Sequence, residues 1–69
     1  MMTDISAAAT TLINEAWMAG RALGATGDRA QIDRALEGSW DALSHAVDLD
    51  ERAEIRAFIR GIGAGRACR

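Results

Sequence analysis

Two short phrases constrain the folding of this chain more than anything else in it: Asp28 followed three residues on by Gln31, and Asp48 followed three residues on by Glu51. In such a capping box the first side chain accepts from the backbone N–H of the third residue beyond it, and the Gln or Glu reaches back to the cap's own N–H. Each phrase therefore starts a helix. No proline interrupts the chain, so the two starts divide it into three helical segments, at about 4–23, 29–47 and 49–61.

Apolar spacing supports the division. In the first segment Ile5, Ala8, Ala9, Leu12, Ile13, Ala16, Trp17 and Leu23 recur at i, i+3, i+4 and i+7, with Thr3 or Asp4 as the N-cap. Gly24 suits a left-handed position just past the helix end. Ile32, Leu36, Trp40, Leu43 and Val47 form the stripe of the second segment. Gly38 lies inside that segment, where it costs about 1 kcal/mol relative to alanine. Ile55, Phe58, Ile59 and Ile62 form the third stripe. Gly61, Gly63 and Gly65 then read as a helix stop, with residues 63–69 as a mobile tail. The expected fold is all-α: a single domain over residues 1–69, a helical hairpin plus a shorter third helix.

The supply of core side chains is thin. Of 69 residues 15 are alanine and 18 are Ile, Leu, Val, Met, Phe or Trp. Chains this small commonly complete their stability with disulfides, a metal or a partner. One cysteine and one histidine cannot make a disulfide or a zinc site within one chain, which leaves association. A helical-bundle homodimer is the expectation. The same length excludes a second domain and a dinucleotide-binding fold.

All eight basic residues are arginine, yet the net charge is −2, so overall charge gives no reason to expect nucleic acid or an anionic membrane as partner. Charge is nevertheless patterned. Asp33, Glu37 and Asp41 recur every four residues in the second segment, and Arg52, Arg56 and Arg60 do the same in the third. An antiparallel hairpin would set Glu37 opposite Arg60, Asp41 opposite Arg56 and His45 opposite Arg52, as exposed ion pairs beside an apolar seam. If the helices splay instead, the arginines face another subunit, an acidic protein or phosphates.

Nothing in the chain makes a catalytic or metal motif, and no cofactor is implied. His45 lacks a nucleophile or a second ligand, and Cys68 reads as an inert thiol near the chain end. Residues 61–66, Gly-Ile-Gly-Ala-Gly-Arg, imitate a phosphate loop without the preceding strand or following helix that such a loop needs. Trp17 and Trp40 read first as core residues. Trp17 also borders Met18 and Arg21, a grouping of the kind that protein interfaces use. With an unpaired cysteine, no basic leader and no membrane-length apolar run, the expected location is cytoplasmic. The expected function is a non-enzymatic protein–protein interaction module, a regulator or inhibitor of the sort phages or mobile elements encode. It would occupy a surface of a larger protein through Trp17, Met18, Arg21, Arg52, Arg56 and Arg60. The alternative is a helix-turn-helix-like nucleic-acid binder using the arginine stripe of the third segment.

Overall fold

A computed structural model describes residues 2–68, with side chains from 10 to 68. It is all-α, with helices α1 (Met2–Thr26), α2 (Arg29–His45) and α3 (Leu49–Ala67) and no strand among the described residues. Ile5, Ala8 and Ala9 of the expected first stripe lie outside the described side chains. So do the side chains of Thr3 and Asp4, although α1 is already helical at Met2, which places both inside the helix rather than at its cap.

The first capping box forms in full. Asp28 accepts from the Gln31 amide at 2.8 Å, and the Asp28 amide donates to Gln31 Oε1 at 2.9 Å. Asp48 caps α3 differently: its carboxylate accepts from the Asp50 amide at 3.2 Å, and Glu51 makes no reciprocal bond. α2 closes two residues early. Ala46 is its C-cap, and Val47, expected in the apolar stripe, stands 90% exposed in the connection to α3.

The larger departures come from glycine. Gly24 is helical rather than a left-handed terminator, and no glycine among the described residues has positive φ. α3 likewise runs through Gly61, Gly63 and Gly65 to Ala67, so residues 63–67 are helix and not tail. At 19 residues α3 is longer than the 17-residue α2, against the expectation of a short third helix.

Packing explains why these glycines stay helical. A Cβ at Gly20 would collide with the Phe58 carbonyl, and one at Gly24 with the Ile62 carbonyl. Added at Gly61 and Gly65, a Cβ would strike the carbonyls of Trp17 and Arg21. The glycine Cα hydrogens therefore face carbonyl oxygens of the other helix, a contact known from close helix pairs. Register advances in the same sense on both helices, so α1 and α3 run parallel. Gly20 and Gly24 are spaced i, i+4, as are Gly61 and Gly65, which is the arrangement that lets two helix backbones touch.

Most of the contact between helices lies in this α1–α3 seam. α2 runs back antiparallel, rests more lightly on α3 and barely touches α1. The closest pair is thus formed by helices that are not neighbours in sequence. Among the described residues, Ile32 and Leu43 of α2 and Ala57 and Ile62 of α3 are the buried apolar side chains. Overall extents of 42 × 25 × 13 Å describe a flattened molecule, whereas a closed three-helix bundle has two nearly equal short axes.

Candidate interaction surface

The proposed contact residues fall into two groups. On α1, Trp17 is 37% and Met18 64% exposed, and the Arg21 guanidinium lies 5.7 Å from the Trp17 ring centroid. That distance is within the range of a cation–π contact. The seam fixes this geometry, because the Trp17 and Arg21 carbonyls point at Gly61 and Gly65 of α3. Their side chains are held at the border of the packed face. Met18, Arg21, Ala22 and Ala25 line a shallow depression of about 240 Å³ together with Cys68. The cysteine expected on a tail thus sits beside the α1 patch, exposed and unpaired.

The second group lies on the α2–α3 hairpin. Trp40, Leu43, Ile59, Arg56 and Arg60 line an open depression of about 270 Å³. Trp40 is 57% exposed, which corrects the reading of both tryptophans as core residues: α3 covers the stripe of α2 at Ile32 and Leu43 but leaves Trp40 at its open edge. The hairpin is antiparallel in nearly the expected register, yet no ion pair joins α2 to α3 among the described residues. Within α2, Arg29 pairs with Asp33 at 3.9 Å and the His45 imidazole lies 3.8 Å from the Asp41 carboxylate, both at exposed positions. Glu37–Arg60 and Asp41–Arg56 therefore do not form, and Arg56 and Arg60 project beside Trp40 instead.

Arg52 has a different task. Its Nη1 donates to the carbonyls of Leu43 and Ala46, each at 3.0 Å. A guanidinium at a helix C-terminus satisfies carbonyls that lack an intrahelical donor and meets the negative end of the helix dipole. The half-buried Arg52 thus ties α3 to the end of α2. His45, beside it, is exposed, with Nδ1 2.9 Å from the Asp41 carbonyl oxygen.

Among the described residues no group of three His, Cys, Asp or Glu side chains comes together to hold a metal, and no helix is long and apolar enough to cross a membrane. The Gly61–Arg66 segment is helical, so its amides are engaged within α3 rather than presented as a phosphate cradle. The chain matches no protein-family model, and no curated protein or solved structure is significantly similar to it.

Proposed function

We propose that this chain is a small non-enzymatic interaction module, a cytoplasmic regulator or inhibitor that works by covering a surface of a larger protein. The observation that carries the reading is the placement of Trp17, Met18 and Trp40. These are residue types that dominate interface energetics, and all three are exposed next to arginines, where the described residues bury four apolar side chains. Trp17, Met18 and Arg21 form one contact patch, and Arg56 and Arg60 with Trp40 form another. Arg52 supports the second patch by fixing α3 against α2.

The reading is tested with the immobilised chain and the proteins of its source cell. Wild type should retain a defined protein, Met18→Glu and Arg56→Glu should each lose it, and circular dichroism should show unchanged helicity. Retention of the same protein by both variants would contradict the assignment.

One observation favours the nucleic-acid alternative: Arg56 and Arg60 lie unpaired beside an exposed tryptophan, as on a surface that stacks single-stranded bases. The acidic side chains of Glu37 and Asp41 on α2 weigh against it. Nucleic-acid binding would fall steeply with salt and with Arg56→Glu, and absence of binding at about 50 mM salt would eliminate that reading.

A further inference from the structure

A third surface is carried by neither patch. Between α2 and α3 an apolar groove of about 490 Å³ lies open, with Ala35, Gly38 and Ala42 on one wall and Ile55 and Phe58 on the other. Arg34 stands at one end, and Glu51 and Glu54 stand along the α3 side. None of these three charges has an ion-pair partner among the described residues.

Gly38 gives the groove its depth. A Cβ there would meet nothing within 4 Å, in contrast to the glycines of the α1–α3 seam. The chain's own fold therefore does not need glycine at this position, where it costs about 1 kcal/mol of helix stability. The groove's missing side chain is explained if another helix backbone comes close.

We infer that the groove seats a second copy of this chain, with α2 packed antiparallel on the partner's α2 about a two-fold axis at Gly38. Charge complementarity selects this occupant. In that register Arg34 of one copy lies opposite Ala42 of the other, and Ala42 shares its groove with Glu51 and Glu54. Each arginine then faces two carboxylates across the interface, and the symmetry makes the arrangement twice, as an isologous contact requires. Exposed area agrees. The chain has 4969 Å² of accessible surface, where a compact chain of its mass exposes about 4,200 Å². The excess of roughly 800 Å² is spread over the whole surface, the α1 and Trp40 patches included, and matches in size what one partner contributes to a standard interface. Met18 lies on the opposite side of α1 from Ala16, which borders the groove, so the dimer leaves the α1 patch open to a different protein.

The test is molar mass by light scattering from about 1 to 100 µM, the range in which micromolar pairing is visible. Wild type should rise toward twice its 7.3 kDa. Arg34→Glu and the double variant Glu51→Arg with Glu54→Arg should each weaken pairing at least about tenfold, because each sets like charges against one another. An equimolar mixture of the two should restore the dimer, since both contacts become opposite in sign. Gly38→Gln should be fully helical and monomeric, which separates a blocked groove from a failed fold. A monomeric wild type overturns the inference and leaves the groove to a foreign helix. Dimers that persist in Arg34→Glu, or a mixture that stays monomeric, overturn the geometry. Met18→Glu should pair normally, so loss of the proposed protein target and loss of the dimer are read independently.

Discussion

Glycine has three different roles in this chain, and the difference can be measured residue by residue. At Gly20, Gly24, Gly61 and Gly65 the absent Cβ is the contact itself, since the space is filled by a carbonyl of the facing helix. A backbone atom cannot rotate away as a side chain can. Gly61→Ala should therefore cost about 2 kcal/mol or more, as overpacking usually does. Gly63 is exposed, with nothing within 4 Å of an added Cβ. Gly63→Ala should stabilise the helix by up to about 1 kcal/mol. Urea titrations followed by circular dichroism compare the two variants directly, and equal effects would refute the seam. Gly38, open like Gly63 but set in a groove, marks the proposed pairing surface. From sequence alone the glycines near the C-terminus resemble a helix stop, because their propensity is poor and no neighbour is visible. The legible clue was the matched i, i+4 spacing of Gly20–Gly24 and Gly61–Gly65, which needs both helices to be read together.

At the scale of helices, local chemistry was the readable part. Three helices, two short connections and the Asp28 capping box follow from side chains acting on neighbours within four residues. Helix ends and helix partners depend on tertiary contact, and they escaped for that reason. Extension of α3 to Ala67 makes the last turns part of the packed seam through Gly65. A chain truncated after Ile62 should consequently lose cooperative unfolding and much of its helicity, whereas removal of a tail would change neither. The α2–α3 hairpin was readable in direction but not in chemistry: charges at matching intervals suggested ion pairs, and the structure uses Arg52 to cap α2 instead. Replacing Arg52 with alanine should cost about 1–2 kcal/mol for the two lost bonds. Arg52→Lys should recover less than half, because both bonds leave the single Nη1 atom, and the lysine ammonium ends one bond nearer the backbone and falls short of the two carbonyls. Thermal denaturation of the three proteins checks this; full rescue by lysine would argue for simple charge at the helix end.

The whole molecule is defined by the mismatch between its apolar surface and its core. Among the described residues four apolar side chains are buried, while Met18, Trp40, Val47 and Leu49 are largely exposed and Leu12 is half exposed. Composition foretold the mismatch, since 18 large apolar residues without a disulfide or a metal make a thin core. It did not foretell which stripes would stay uncovered. That depended on α1 choosing α3 through a glycine seam, which left α2 covered at Ile32 and Leu43 but open at Trp40. A chain of this kind gains stability by association, and stability gained by association depends on concentration. The most direct measurement is the urea midpoint of the wild-type chain at two protein concentrations about a hundredfold apart. Linkage of roughly 2.7 kcal/mol over that range, with a slope near 1 kcal/mol/M for so small a chain, predicts an upward shift of about 1 M or more at the higher concentration. A high midpoint identical at both concentrations would contradict the account, because the chain would then be complete by itself.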